Sequence, residues 1–265
     1  MAEGLARSNP RVRRLRSLLS DRRARHADGV FVVEGPRAIG AAFEADAALE
    51  ALYTAPDAAT RCADLLEESV RRGVQIVPLA PGVIERVSDA VTPQPVLAVA
   101  RIPARDLADA DVSLVVVLAD VREPGNAGTI VRSAEGAGAT AVVFCHGSAD
   151  AYAPKVVRAT AGALFHVPVF EAGSAREVVD VLREKEVRVL GTVADGGEAY
   201  HAFDWTAPTA IVLGNEAWGL PADVADAVDS WVSIPLAGRT ESLNVAMAAS
   251  VLLFEARRQR AATRP

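Results

Sequence analysis

The 265-residue chain reads as an α/β protein of two units, the second built on a mainly parallel sheet. Three observations carry this. Apolar β-rich runs alternate with helix-patterned segments along the chain. Leu114-Val-Val-Val-Leu-Ala119 is an uninterrupted apolar run of the kind found in strands covered on both faces. Residues 101–111 are polar, contain proline and have linker composition.

Before the linker, residues 30–33 read as a short buried strand and 36–43 as a helix opened by Pro36. Residues 48–54, 74–78 and 95–100 read as further strands, separated by a helical stretch at 58–72 and a short helix near Val83. After it the pattern restarts: strand 114–119, helix 128–136, strand 141–145, a helix near 154–160, strand 165–169, helix 175–184, and strands 187–193 and 210–213. The last element, 243–257, places Leu243, Ala246, Met247, Ser250, Val251 and Phe254 on one face at helical spacing. No internal repeat or low-complexity tract is visible.

Composition narrows the class further. Charged residues make up 23% of the chain and hydrophobic ones 51%, an ordinary globular balance. No stretch approaches the roughly 20 consecutive apolar residues of a membrane span, and the arginine-rich start leads into no uninterrupted apolar segment, so the expected location is the cytoplasm. Cys62 and Cys145 are too few for a disulfide framework and have no CxxC partner, so buried free thiols and no metal site are expected. Net charge is −6, yet residues 1–25 carry +6 by themselves, leaving −12 for the rest. Such a basic segment suits phosphate binding, although a solvated helix face in an arginine-biased chain gives the same count.

One motif is discarded on its context. Gly136-Ala-Gly138-Ala-Thr-Ala141 spells a dinucleotide fingerprint, but its glycines follow a helix and precede a strand, the reverse of what pyrophosphate binding needs. They read as a helix stop and turn. Three other segments set polar residues beside glycine or proline, each at the end of an apolar strand. The first is Asp120-Val-Arg-Glu-Pro-Gly-Asn126-Ala-Gly-Thr-Ile-Val-Arg132, where Asn126 has the chemistry of a helix cap and Arg132 that of a surface arginine if neither is functional. The second is Gly214-Asn215-Glu216-Ala-Trp218-Gly219-Leu220-Pro221, in which Gly214 lets a ligand approach the backbone at a strand's C-terminal edge. The third, Ile234-Pro235-Leu-Ala-Gly-Arg239-Thr-Glu-Ser242-Leu-Asn244-Val-Ala, feeds the final helix, with Ser242 a candidate cap.

Taken together and in order, these segments resemble the three signature motifs of the SpoU (TrmH) family of AdoMet-dependent RNA ribose 2′-O-methyltransferases, across nearly all of residues 113–257. Lys155-Val-Val-Arg158-Ala-Thr160-Ala-Gly162-Ala-Leu-Phe-His-Val-Pro168 is similar to the family's stretch between the first and second motifs. Phe31-Val-Val-Glu34-Gly35 and Thr92-Pro-Gln94-Pro95 resemble its N-terminal substrate-binding domain. The resemblance implies an RNA substrate-binding domain over 1–105, a smaller α/β unit of L30e-like type. It implies a SPOUT-type methyltransferase domain over 112–265, with a parallel sheet tied in a deep trefoil knot, and a homodimer.

It also implies a site. S-adenosyl-L-methionine (AdoMet) is expected against Thr192, Leu213, Gly214, Asn215, Gly219, Ile234, Leu243 and Asn244. Asn126, Arg132, Glu216, Ser242 and Asn244 are the implied catalytic residues. Methyl transfer to a ribose hydroxyl requires alignment and charge stabilisation rather than a metal. An arginine guanidinium stays protonated in proteins, so Arg132 is read as anchoring a phosphate and stabilising alkoxide charge, with Glu216 the carboxylate available for a proton relay. Arg11, Arg13, Arg14, Arg16 and Arg158 are the candidate RNA contacts. The expected substrate is 23S rRNA; a tRNA ribose methyltransferase and a noncatalytic RNA-binding or ribosome-assembly protein of the same fold are the alternatives.

Overall fold

The computed structural model describes residues 4–263. The chain divides into two compact units, one holding the residues up to Ala104 with Tyr152–Phe165, the other Arg105–Ala151 with the residues from His166 onward. The boundary falls inside the expected linker, in which Leu107 is buried among the apolar residues of the second unit while most of its neighbours stay exposed. The expected continuous unit over 112–265 is interrupted, because 152–165 folds with the first unit.

In the first unit, Asn9 caps helix α1 (Pro10–Ser20) by accepting from the Arg11 amide, and Pro10 sits where no amide partner is needed. Val12, Leu15, Leu18 and Leu19 bury one face of α1, which leaves its arginines outside. Next come α2 (Arg22–Asp28), β1 (Val30–Glu34), α3 (Pro36–Glu44), β2 (Leu49–Thr54), α4 (Ala58–Arg61), α5 (Ala63–Arg71), β3 (Gln75–Pro78), α6 (Ile84–Val87) and β4 (Val96–Arg101). The helix expected over 58–72 is two helices, broken at buried Cys62, where φ −143° and ψ 38° leave the helical region. The sheet order is β1-β4-β2-β3, with β4 antiparallel to both neighbours and β2 parallel to β3.

The second unit opens with β5 (Leu114–Leu118), α7 (Pro124–Ala137) and β6 (Ala141–Phe144). The chain then contributes α8 (Pro154–Thr160) to the first unit, where Tyr152 and Phe165 pack on Phe31 at centroid distances of 4.8 and 6.1 Å. It continues through β7 (Val169–Glu171), α9 (Ala175–Glu184), β8 (Arg188–Thr192), β9 (Glu198–Ala199), β10 (Thr209–Leu213), α10 (Ala222–Ala225), β11 (Ser230–Ser233) and α11 (Val245–Ala262). The order is β7-β6-β5-β10-β8-β11-β9, and every pairing is parallel. Because β10 inserts between β5 and β8, β5, β6 and β7 run outward in chain order on one side of it, while β8, β11 and β9 lie on the other. That reversal opens a crevice at the C-terminal strand ends, where open α/β sheets take their ligands.

Several expected boundaries move for local reasons. Helix α7 starts at Pro124 with Glu123 as its cap, a turn earlier than expected, so Asn126 lies inside the helix rather than at its cap. The strand expected over 165–169 begins at Val169, because Ala163–Phe165 forms a 3₁₀ turn. The cap of α11 is Asn244, not Ser242. The expected apolar face of α11 is also split: Ala246 is buried with Ala249, Leu252, Leu253 and Ala256, whereas Met247, Val251 and Phe254 are 61%, 36% and 49% exposed. Near the end of α11, Arg260 binds the carbonyls of Trp205, Ala207 and Ser113 and the Ser113 hydroxyl at 2.7–3.0 Å, fixing the helix against the starts of β5 and β10. Both cysteines are free and buried, and burial pushes the Cys145 thiol up to about 12. No helix among the described residues is long and apolar enough to cross a membrane.

Candidate active site

The C-terminal ends of β8, β10 and β11 open into a cleft of about 610 Å³, a volume suited to a small-molecule ligand. Of the residues expected to bind cofactor, Thr192, Leu213, Gly214, Asn215, Gly219, Ile234 and Leu243 line it; Asn244 does not. Glu216 and Ser242 line it too. Lining residues that carried no expectation include Trp218, Trp231, Leu236, Glu241, Val245 and Leu252. The walls are therefore apolar, with strand-end backbone groups and two carboxylates, Glu216 and Glu241. This set of groups suits a ligand that carries both a flat heteroaromatic ring and a cationic group.

The rim is a tight loop. Asn215 and Gly219 exchange two backbone hydrogen bonds of 2.9 Å, and Gly219 at φ +74° closes the turn. The reason for Gly214 differs from the expected one. A Cβ there would lie 2.4 Å from the Gly219 carbonyl carbon and 2.7 Å from the Leu220 nitrogen, so the missing side chain makes room for the loop's own backbone rather than for a ligand. Gly214→Ala is expected to distort the loop at a cost of about 1–3 kcal/mol and to weaken AdoMet binding as a consequence. Thermal unfolding with and without AdoMet checks this; an unchanged Tm would contradict it.

Three residues from the three motifs form one hydrogen-bond chain whose polarity the helix cap dictates. The Asn244 Oδ1 accepts from the Ala246 and Met247 amides, so its Nδ2 faces outward and donates to Asn126 Oδ1 at 3.0 Å. Asn126 Nδ2 then donates to Glu216 Oε1 at 2.6 Å. The chain ends on the Glu216 carboxylate, which accepts the last bond. Ser242 is exposed at the cleft. Arg132 is exposed on α7, does not line the cleft, and makes no hydrogen bond or ion pair among the described residues. At the next position, Ser133 bonds Ser250 of α11 at 2.7 Å, so α7 and α11 pack along one another.

A second cluster stands beside that chain. Asp120, at φ +71°, accepts from Asn215 Nδ2, from Trp218 Nε1 at 3.2 Å and from Arg122 Nε at 2.7 Å. The Arg122 guanidinium lies over the Trp218 ring, 5.1 Å from its centroid. These residues stood inside the motifs without a role; a tryptophan in a polar, glycine-closed loop at a strand end was the signal for them.

The candidate RNA arginines separate in the first unit. Arg14 pairs with Asp28 at 2.6 Å and Glu50 at 3.2 Å, and Arg11 donates to Gln75. Arg13 and Arg16 are exposed, and their guanidinium groups have no partner among the described residues. Arg158 departs from its expected role: its guanidinium binds Asp89 at 2.6 Å and buried Glu34 at 3.2 Å, and Glu34 also takes bonds from Ser88 and the Gln94 amide. Arg158 is therefore an internal tie between α8, β1 and the loop after α6. The ion pair holds the Asp89 carboxyl below its usual range.

Comparison with known proteins agrees with this geometry. Residues 113–254 match the model of the SpoU rRNA Methylase family, and residues 9–98 match the MRM3-like substrate binding domain. The chain is 32% identical to the 23S rRNA (guanosine(2553)-2′-O)-methyltransferase RlmP of Bacillus subtilis, over 90% of this chain and 93% of that protein. It is 34% identical to the 23S rRNA (uridine(2479)-2′-O)-methyltransferase of Streptomyces viridochromogenes, over 98% of this chain and 93% of the relative. Among solved structures, the AdoMet-bound rRNA methyltransferase from Sinorhizobium meliloti superposes with a TM-score of 0.85 at 29% identity, covering 97% of each chain.

Proposed function

Since the chain belongs to the SpoU rRNA methylase family, we propose that it methylates a ribose 2′-hydroxyl of 23S rRNA with AdoMet as methyl donor. The observation that carries this reading is the convergence of residues from all three motifs on one cleft and one hydrogen-bond chain. AdoMet, when bound, supplies an electrophilic methyl group on a sulfonium. Leu213, Ile234 and Leu243 would enclose its adenine, and the Glu216 and Glu241 carboxylates would face its positive charge. Asn126 and Asn244 hold the Glu216 carboxylate in place, and Glu216 is the acceptor for the ribose proton. Arg132 anchors the RNA phosphate next to the target ribose and stabilises charge developing on the 2′-oxygen.

Arg132 stands away from the cleft of its own chain, and α11 beside it leaves Met247, Val251 and Phe254 exposed. Both features support a homodimer in which each copy covers the other's apolar stripe and lends it Arg132. The remaining elements of the reading are the trefoil knot around the cofactor, RNA capture by the first unit and a cytoplasmic location.

In that capture, the free guanidinium groups of Arg13 and Arg16 make the phosphate contacts. Arg13→Ala with Arg16→Ala is expected to flatten the slope of log affinity against log salt by about 1.4 for single-stranded RNA. Arg158→Ala should instead lower the stability of the first unit. Filter binding across a salt series checks the slope, and an unchanged slope would reduce α1 to a solvated face.

The test of the function is transfer of labelled methyl from AdoMet to in vitro-transcribed 23S rRNA and to tRNA. The expected product is label in alkali-resistant dinucleotides of 23S rRNA, since a methylated 2′-oxygen cannot attack the adjacent phosphate. Label in tRNA alone would favour the tRNA enzyme; no label in either would favour a noncatalytic binding protein.

A further inference from the structure

The Asp120–Arg122–Trp218 cluster is not used by the methyl-transfer residues, yet it is built with care. Trp218 is 62% exposed, whereas Trp205 is fully buried. Its ring is nonetheless fixed: the indole N–H is held by Asp120, one side carries the Arg122 guanidinium, and the loop beneath is closed by the Asn215–Gly219 bonds. Asp120 is fixed in turn. It sits in the left-handed region, at φ +71°, a conformation that non-glycine residues seldom adopt. The following Val121 amide is bound by Ser148 Oγ, and the Asp120 carboxylate fills the space a Cβ on Gly147 would take. A large, rigid aromatic face kept in solvent and backed by a cation is a poor arrangement for the folded chain alone and a good one for a planar ligand.

Resting on the methyltransferase reading, we propose that Trp218, braced by Arg122 and Asp120, is a stacking platform for an unpaired RNA base at the target ribose. Glu216 lies two residues from Trp218 on the same closed loop, so a base stacked on the indole brings its own ribose towards the Glu216 end of the hydrogen-bond chain. Arg122, more than half exposed, extends the platform with a second planar cation for the base or its phosphate. Stacking accepts any base, so the platform positions the nucleotide and leaves choice of site to the rest of the RNA contact.

The test uses full-length protein and in vitro-transcribed 23S rRNA. Because Trp218 also borders the cleft, the assay is run at saturating AdoMet, where Trp218→Ala is expected to lower kcat/KM for the RNA by about 5- to 150-fold. Trp218→Phe restores most of the loss, because a ring still stacks. The emission assigned to Trp218, taken as wild type minus Trp218→Phe, should be quenched when 23S rRNA binds. Unchanged kcat/KM in Trp218→Ala, or emission unaffected by bound RNA, would overturn the platform. A Trp218→Ala protein that becomes monomeric in light scattering would also overturn it, assigning the ring to a protein interface. If the wild type methylates no ribose of 23S rRNA, the functional reading fails separately, and the quenching of Trp218 by RNA still decides the platform.

Discussion

Arg132→Ala is expected to reduce turnover by about 100- to 1,000-fold while leaving AdoMet affinity within about twofold. The asymmetry follows from position. Arg132 is exposed on α7 and outside the cleft, so its removal takes nothing from the cofactor side. If it donates to the phosphate and the 2′-oxygen as charge develops there, the loss falls on the transition state, at about 2.7–4 kcal/mol for one preorganised donor in a dry site. Arg132→Lys should recover little, because a single ammonium cannot reproduce a planar, two-donor contact. Single-turnover kinetics with saturating RNA, beside calorimetric titration of AdoMet, give the two numbers. Near-normal turnover in either variant would remove Arg132 from the site.

The second large effect concerns the exposed stripe of α11. Val251→Asp with Phe254→Asp is expected to halve the mass seen by light scattering and to abolish methyl transfer, since each copy then lacks the partner's Arg132. Both side chains face outward in the single chain, so the substitution leaves the buried face of Ala249, Leu252, Leu253 and Ala256 intact. Circular dichroism should therefore show a folded protein. Mixing catalytically dead Arg132→Ala with a Glu216→Gln variant should restore part of the activity through mixed dimers carrying one intact site. A double-aspartate variant with the wild-type mass would contradict the dimer surface, and a fully active monomer would contradict the shared site.

The elements that could be read from the sequence are those governed by local rules. The strand at Leu114–Leu118, the helix at Ala175–Glu184 and the proline-opened helix at Pro36–Glu44 follow from apolar patterning and caps within a few residues. Short pieces such as Glu198–Ala199 and Ser230–Ser233 have no period long enough to detect, although they complete the sheet edge beside the cleft. Of the site, the motifs supplied residue identities, and their order pointed to the chemistry. Who touches whom was hidden, because Asn126 meets Glu216 across 90 positions and Asn244 across 118. Arg158 shows the same limit in reverse: an arginine in a basic-looking helix turns out to be held by Glu34, 124 positions away. The outward face of α11 is a related case, since helical spacing identifies a stripe but not whether it meets the chain's own core or another surface.

Whether this chain methylates a ribose of 23S rRNA is decided by ribose-methylation maps of rRNA and tRNA from the parent strain and from a strain with its gene deleted. A single 2′-O-methylated nucleotide of 23S rRNA is expected to disappear in the deletion strain. It returns with the wild-type gene and does not return with Arg132→Ala. Identical 23S rRNA maps in parent and deletion strain, with or without a change in tRNA, would contradict that function.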